Sequence, residues 1–384
     1  MRANHRITIV LGVTQTLAWG TTYYLPAILA APVARDLDIA VPWVFAAFSA
    51  ALIVAAVLSP GVGRWIDRYG GRDVLAGSNL VMAVGLALLG WADGMTGVGV
   101  AWLILGAGMA MGLYDAAFAT LAHTHGGRAR GAITIVTLFG GLASTVFWPL
   151  TAYLDAELGW RAACFVWASV HVVVGFPLNR IGLNAVPGPV ASAANTMTVK
   201  TSPSSPTMVL LAVAFTATWC VSTAIAAHLP RLLTDSGLSM PAAITAAALV
   251  GPAQVVGRLL EFSAMRFVPP LLSARLAAMF HPLGAVALML FGSPAAMVFA
   301  ALHGAGNGVL TVAKGTLPLA LFGSTNYGQR QGLISVPARI GQASAPFVFG
   351  VLIEWFGPFA LVFSAGVSLA SVAALCGIRP PKSG

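Results

Sequence analysis

Charged residues are scarce in this chain, and their scarcity excludes an ordinary soluble protein. Only 8% of the 384 residues are charged, whereas 58% are hydrophobic and the mean hydropathy is +0.87. Soluble domains use about 25% charged residues to keep their surfaces hydrated. The composition therefore predicts a chain that lies mostly inside a lipid bilayer.

Cysteine is also scarce, and the sequence lacks the spacings that hold a metal or a redox group. The three cysteines lie in different apolar segments and do not have the paired spacing of a metal or redox site. Histidines within apolar segments occur singly, no nucleophile is paired with a base, and no ATP-binding motif is present. We therefore expect no metal, no cofactor and no enzymatic activity.

Basic residues are unevenly distributed, although the formal net charge of +9 could by itself suggest a nucleic-acid partner. In membrane proteins, Lys and Arg gather in cytoplasmic loops and set the orientation. If the amino terminus is cytoplasmic, only Arg35, Arg161 and Arg231 fall outside, and Lys314 and Arg339 lie within helices. We predict two cytoplasmic termini, a bacterial inner (plasma) membrane location and no nucleic-acid partner.

Twelve apolar segments follow one another along the chain, and each approaches the roughly 20 residues that a membrane-spanning helix needs. The predicted helices cover 8–30, 42–60, 74–91, 98–121, 131–152, 161–181, 208–230, 241–262, 271–290, 295–319, 331–353 and 358–377. The first segment is too long for the apolar part of a signal peptide, so we interpret it as an uncleaved spanning helix.

A segment rich in Ala, Ser, Thr and Pro separates the first six helices from the last six. Its composition is typical of a flexible linker. We predict an amino-terminal six-helix bundle over 1–182, a cytoplasmic linker over 183–206 and a carboxy-terminal six-helix bundle over 207–384. The predicted fold class is an all-α membrane protein with 12 transmembrane helices in two six-helix bundles.

One short loop carries a distinctive motif between the second and third predicted helices. Its spacing is Gly-x3-Asp-Arg-x-Gly-x-Arg, with Gly63, Asp67, Arg68, Gly70 and Arg72 at the named positions. With this loop and the six-linker-six organisation, the chain resembles the major facilitator superfamily. The resemblance implies that the two bundles are pseudo-symmetric and rock about a central site, and that this loop holds a cytoplasmic gate. The alternative is that these charges only follow the positive-inside rule.

The chain also departs from the family pattern. Gly71 stands where a basic residue is common, and the repeat of the motif near 257–266 lacks its aspartate. In helix 4 of many proton-driven members an arginine stands four residues before a glycine, whereas here Trp102 precedes Gly106. The last difference argues against drug/proton antiport.

Five ionisable residues lie within predicted helices, where an unpartnered charge costs several kcal/mol and therefore suggests a site. They are Asp115, Arg258, Glu261, Lys314 and Arg339. We predict Asp115 or Glu261 as the proton carrier and the three cations as anion contacts. As alternatives, Asp115 is a structural partner of nearby arginines, Arg258 pairs only with Glu261, Lys314 extends to the cytoplasmic surface, and Arg339 forms a gate salt bridge.

Helical spacing places polar and aromatic residues on single faces of the predicted helices 1, 7 and 10. In the family, helices 1, 4, 7 and 10 line the central cavity, and a Gly-Arg pair of helix 8 binds a carboxylate in some members. An aromatic face can equally be packing. The predicted substrate contacts are Gln15, Trp19, Tyr23, Tyr114, Trp219, Thr223, Arg258, His303, Asn307, Thr311, Lys314 and Arg339.

These features together predict a secondary active transporter for a small organic solute. Clustered cations favour an organic anion such as a carboxylate, moved with protons or by exchange. The alternative is a proton-driven exporter of amphipathic drugs or toxic compounds, and a third possibility is a transporter-shaped sensor that binds a ligand but moves nothing. We expect a monomer whose partners are the solute, the coupling ion and the lipid bilayer.

Overall fold

The structure is a computed structural model that describes residues 2–184, 206–263 and 267–379, without the side chains of residues 2–4 and 240. Most of the predicted linker lies outside the described residues. Every regular element in the described ranges is a helix, which confirms the all-α prediction.

The helices before the predicted linker are α1 to α10. Several of the predicted spanning helices are each divided into two shorter helices. A five-residue π-helical turn, His171–Gly175, joins the last two. Their bounds are α1 Arg2–Thr21, α2 Pro26–Asp36, α3 Val41–Tyr69, α4 Arg72–Trp91, α5 Met95–Gly112, α6 Tyr114–His125, α7 Ala129–Gly141, α8 Ala143–Leu158, α9 Trp160–Val170 and α10 Phe176–Gly182.

The helices after it are α11 to α17. Their bounds are α11 Pro206–Asp235, α12 Met240–Ala248, α13 Val250–Ser263, α14 Pro270–Phe291, α15 Ala296–Phe322, α16 Tyr327–Phe356 and α17 Ala360–Gly377.

Nine candidate membrane spans occur in the described part of the chain, judged by length and hydropathy. Two of them, Met95–Leu158 and Tyr327–Gly377, contain 64 and 51 residues. Because one crossing needs about 20 residues, each of these two segments is long enough for two crossings. The protein is therefore a multi-pass membrane protein, in which these nine spans allow eleven crossings. The remaining predicted crossing is that of the first apolar segment, which is not among the nine.

The described residues form two compact units by their contacts. The first unit contains the residues up to 184 together with Phe322–Val336, and the second contains those from 206 to Leu321 together with the residues from Pro337 onward. The first turns of α16 therefore pack with the amino-terminal helices, and the rest of α16 packs with the carboxy-terminal helices.

Glycines allow close helix contacts inside each unit. A Cβ atom at Gly106 of α5 would overlap the carbonyl oxygen of Ala51 in α3, and one at Gly308 of α15 would overlap that of Gln254 in α13. Small residues are common where helix backbones touch in membranes. The glycine-rich runs of the sequence therefore serve helix packing.

A cluster of hydrogen bonds ties three helix ends of the first unit together. Arg161, in the first turn of α9, donates Nη2 to an Asp36 carboxylate oxygen of α2 across 2.9 Å. Its Nη1 donates to the carbonyls of Gly90 and Ala92, at the end of α4, across 3.1 and 2.5 Å. One guanidinium thus links α2, α4 and α9.

Candidate functional site

The fourth spanning segment is broken at Leu113, between α5 and α6. Leu113 has extended backbone angles, with φ −88° and ψ −171°. Gln15 of α1 donates its Nε2 to the carbonyl of Gly112 across 2.5 Å, which supplies a partner for a carbonyl at the broken helix end. The sequence prediction of one helix over 98–121 missed this break. Interrupted helices in transporters commonly place polar groups at binding sites.

The break places two predicted site residues, Tyr114 and Asp115, in the first turn of α6. Both side chains are buried. The amino end of a helix carries a partial positive charge that favours a carboxylate. The dipole of α6 therefore interacts favourably with a carboxylate at this position.

Aromatic rings from the first, second and fourth spanning segments form a row that begins at Tyr114. The ring of Trp19 lies 4.8 Å from that of Tyr114 and 4.9 Å from that of Tyr23, between centroids. Phe48 continues the row, 5.4 Å from Tyr23 and 5.3 Å from Trp102. We call these five residues the aromatic wall. The structure brings together the predicted Trp19, Tyr23 and Tyr114, and it adds two rings that the sequence prediction did not include as contacts.

Three buried polar atoms at the aromatic wall have no hydrogen-bond partner among the described residues. They are the indole nitrogens of Trp19 and Trp102 and the Oε1 atom of Gln15. Leaving a buried polar atom unpaired costs about 1–3 kcal/mol. Two donors and one acceptor are thus available there to a solute or to water.

The motif aspartate binds the start of α16. The two carboxylate oxygens of Asp67 accept hydrogen bonds from the backbone N–H groups of Gly328 and Gln329, across 2.7 and 2.8 Å. A carboxylate at a helix amino terminus satisfies free N–H groups and interacts favourably with the helix dipole. Gly63 allows this approach, since a Cβ atom there would overlap the Gly328 carbonyl. We call this contact the Asp67 latch, and all of its residues lie within the first unit.

The other motif residues have different surroundings. Arg68 is exposed, with its guanidinium carbon 5.2 Å from the centroid of the Tyr69 ring. Gly70 ends α3 with φ 81°, a conformation that favours glycine. Arg72 donates to Asp73 across 3.1 Å and to Asn184 across 3.3 Å.

Glycine stands at position 71, where the sequence pattern leads one to expect a basic residue, for a steric reason. A Cβ atom at this position would overlap the side chain of Thr120 in α6. A basic side chain therefore does not fit between these helices without a shift of one of them.

A second carboxylate contacts α16. Gln331 donates its Nε2 to an Asp115 carboxylate oxygen across 3.2 Å, and both side chains are buried. The Gln331 Oε1 and Ser335 Oγ atoms have no hydrogen-bond partner among the residues that the structure describes. Asp67 and Asp115 thus bind successive turns at the start of α16.

In the second unit, a predicted cation lies over an aromatic ring. The Lys314 ammonium is 5.6 Å from the centroid of the Trp219 ring, within the range of a cation–π interaction. The buried Trp219 indole N–H has no acceptor in the described parts of the chain. The hydroxyls of Thr223 and Thr311 donate to carbonyls of their own helices, across 2.9 and 2.7 Å.

The remaining predicted cations are buried in the second unit. Arg339 is 6% exposed and Arg258 is 5% exposed, so neither is a surface charge. Arg258 donates to Gln254 across 3.4 Å, and the buried carboxylate of Glu261 accepts from the Ser273 hydroxyl.

The predicted contact His303 belongs to a histidine pair. Its Nδ1 lies 2.9 Å from the Nδ1 of His281 on α14, and His281 Nε2 lies 3.1 Å from the Ser364 hydroxyl. The sequence prediction missed this pair because 22 residues separate the two histidines. Asn307 lies one turn further along α15. Among the described residues, no group of three His, Cys, Asp or Glu side chains could hold a metal ion.

Comparison with known proteins agrees with this architecture. Residues 11–287 match the family described as Major Facilitator Superfamily. The probable galactarate/D-glucarate transporter GudP of Escherichia coli (strain K12) is 25% identical over 185 residues, which span 45% of this chain and 40% of that protein. The alignment thus spans less than half the length of this curated relative.

Solved structures match nearly the whole chain. The E. coli fucose:proton symporter FucP superposes with a TM-score of 0.74 and 13% identity, covering 96% of this chain and 97% of FucP. A bacterial homologue of the iron transporter ferroportin, in an outward-facing state with soaked iron, has a TM-score of 0.75 and 14% identity, covering 98% and 99%. At these identities the likeness shows the fold, and it confirms the predicted fold class.

Proposed function

Because the chain belongs to the major facilitator superfamily, a family of membrane transporters, we propose that it carries a small organic anion by alternating access. Family membership makes the protein a transporter of solutes rather than an enzyme. To that assignment we add four proposals: the solute is an organic anion, its transport is coupled to an ion, the protein lies in the bacterial inner membrane, and both termini are cytoplasmic.

The observation that carries the anion proposal is the position of Lys314 over Trp219. The ammonium lies within a span, where charged side chains are rare and commonly mark a substrate or ion pathway. A carboxylate placed there receives a charge-assisted hydrogen bond from the ammonium and another from the Trp219 indole N–H, which lacks an acceptor among the described residues. The name of the E. coli relative, a probable galactarate/D-glucarate transporter, supports the same class of solute.

We propose the proton as the coupling ion and Asp115 as its carrier. Protonation converts the Asp115 carboxylate into a neutral acid, and a hydrogen bond to a neutral oxygen is about half as strong as one to a charged oxygen. Proton uptake therefore weakens the bond from Gln331 and loosens the start of α16. Glu261, which accepts from Ser273, is the second candidate, and exchange of two anions remains the alternative to proton coupling.

Uptake by purified protein in proteoliposomes tests the anion proposal. Labelled galactarate is the first probe, and galactitol is its uncharged counterpart of the same carbon number. We expect uptake of galactarate but not of galactitol, driven by an inward proton gradient or by internal galactarate. Arg339→Gln and Lys314→Gln should abolish it without loss of folded protein in gel filtration, whereas Arg128→Gln, which removes an exposed charge, should not. Wild-type rates in Arg339→Gln would remove that residue from the site.

The aromatic wall favours a second candidate function, export of amphipathic compounds. Rings with a few unpaired donors suit a partly apolar ligand. Neutral or cationic amphipaths that bind tightly to the Lys314→Gln and Arg339→Gln variants would support this function over anion transport. Binding without flux in the same vesicles would instead indicate a sensor.

A further inference from the structure

The last turns of α3 present two arginines and two aromatic rings at the protein surface. Arg64 and Arg68 are exposed, and the exposed fractions of Trp65 and Tyr69 are 57% and 45%. The two rings lie 4.8 Å apart, between centroids, and the Arg68 guanidinium carbon is 5.2 Å from the Tyr69 centroid. We call these four residues the basic face.

The length of α3 places the basic face at the edge of a bilayer. The helix has 29 residues and is one of the candidate membrane spans. Trp43, near its start, is 59% exposed and lies 22 residues before Trp65, which is about 33 Å along the helix axis. This distance matches the hydrocarbon core of a bilayer, roughly 30 Å thick, and tryptophan is enriched at both borders of that core. Arg64 and Arg68 therefore lie in the headgroup layer.

The preceding turns of the same helix face are apolar. Ile53, Val57 and Gly61 share this face with the two arginines, because spacings of three and four residues return to the same side of a helix. Val57 is 70% exposed and Ile53 is 48% exposed, and a Cβ atom at Gly61 would meet nothing within 4 Å. We call these three residues the apolar stripe. A phospholipid whose acyl chains lie along the apolar stripe has its headgroup beside the two arginines.

The two arginines of the basic face lack a counter-ion. Neither guanidinium forms an ion pair or a hydrogen bond with another described residue. The acids closest in sequence are engaged elsewhere, since both carboxylate oxygens of Asp67 accept from α16 and Asp73 pairs with Arg72 and Arg180. Like charges four residues apart on a helix repel each other. An anion that lies between the two guanidinium groups offsets this repulsion.

The chemistry of the basic face suits a lipid phosphate. The planar fork of a guanidinium donates to two phosphate oxygens at once, and the indole N–H of Trp65 is a further donor at the interface. Arginines near the membrane surface attract lipids with a net negative charge. At other helix ends the arginines bind main-chain carbonyls instead, as Arg6, Arg275 and Arg330 do.

We propose that the basic face binds the headgroup of one anionic phospholipid. The lipid phosphate lies between Arg64 and Arg68, and the acyl chains follow the apolar stripe. Gly63 and Asp67, which take part in the Asp67 latch, lie on the same turns of α3, so the bound lipid fixes the helix end that the latch uses. The inference does not depend on which solute the protein carries.

Arg64→Gln is the diagnostic variant. The Arg64 side chain is exposed and bonds no other described residue, so its replacement breaks none of the contacts that hold the helices together. In detergent without added lipid, the variant should unfold at the same temperature as the wild type. Arg68→Gln tests the second arginine. Arg128→Gln is the matched control, because Arg128 is also exposed and its removal changes the net charge by the same amount.

Native mass spectrometry of the purified protein in detergent measures the binding of the first lipid. Two lipids with the same acyl chains are titrated, the anionic phosphatidylglycerol and the zwitterionic phosphatidylcholine. One arginine near the membrane surface contributes roughly fivefold to the affinity for an anionic lipid. The wild type should therefore prefer phosphatidylglycerol roughly 25-fold, and Arg64→Gln or Arg68→Gln should each lower this preference about fivefold. Arg128→Gln should leave it unchanged to within about twofold.

Three results would overturn the proposal. Equal affinity of the wild type for the two lipids would show that the charge of the headgroup is not recognised. Equal weakening by Arg64→Gln and by Arg128→Gln would indicate a general effect of net charge rather than a site. Glycerol 3-phosphate, which has the phosphate without acyl chains, should not displace phosphatidylglycerol at equal concentration. Displacement would assign the basic face to a soluble phosphate instead of a lipid.

Discussion

Replacing Asp67 by asparagine should open the start of α16 far more often than in the wild type. Each carboxylate oxygen of Asp67 accepts one backbone N–H group, from Gly328 and from Gln329. Asparagine keeps one oxygen and presents an NH₂ group to the other N–H. The substitution therefore removes one hydrogen bond to a charged acceptor, worth about 1.5–3 kcal/mol, and a helix-dipole interaction worth about 0.3–1 kcal/mol.

The expected loss is about 2–4 kcal/mol, which corresponds to a roughly 30- to 700-fold increase in local opening at 1.4 kcal/mol per tenfold. Amide hydrogen exchange of protein in nanodiscs measures it directly, in peptides that cover residues 322–336. Exchange depends on the free energy of local opening, and the two amides bound by Asp67 lie in these peptides.

Asp73→Asn, in the first turn of α4, is the matched control. The Asp73 side chain is 71% exposed and pairs with Arg72 and Arg180 across 3.1 and 3.5 Å. Exposed ion pairs contribute about 0–1 kcal/mol, so this variant should raise exchange less than about fivefold. If Asp67→Asn changes exchange by no more than its control does, the Asp67 latch is not what holds the start of α16.

Two further pairs of substitutions test packing and helix ends. Gly63→Ala should destabilise the first unit by about 1–3 kcal/mol through overlap with the Gly328 backbone, whereas Gly61→Ala, which meets nothing within 4 Å, should be neutral or slightly stabilising. A thermal-shift assay checks this, and equal midpoints would contradict the close approach. Arg161→Gln should lower the unfolding temperature more than Asp36→Asn does, because only the arginine change also removes two bonds to carbonyls. The reverse order in the same assay would contradict this, and it would point instead to the hydrogen bond that Asp36 accepts from Trp160 Nε1 across 3.2 Å.

Sequence reasoning succeeded where one segment carries the signal. The apolar segments predicted spanning helices because the length of a crossing depends on the bilayer alone. The loop motif led to the family because its residues lie within ten consecutive positions of the sequence. The sequence also grouped Trp19 with Tyr23, whose rings lie 4.9 Å apart, although α1 ends at Thr21 and Tyr23 lies in the turn that follows.

The same reasoning failed where a site is built from distant segments. Asp67 and Gly328 are 261 residues apart, and nothing near either residue indicates the other. The break at Leu113 was missed because Gly112 and Leu113 occur within an otherwise continuous apolar run, and Gln15, which bonds the Gly112 carbonyl, lies 97 residues away.

The sequence alone thus determined that the protein lies in a lipid bilayer, that its fold is all-α and which family it belongs to. Composition and short-range spacing suffice for these conclusions because they are properties of single segments. Only the tertiary structure decided that His281 and His303 share a hydrogen bond and that the start of α16 is bound by two carboxylates of the first unit. Hydrogen bonds between helices depend on how those helices pack, and packing reflects the shapes of many side chains at once.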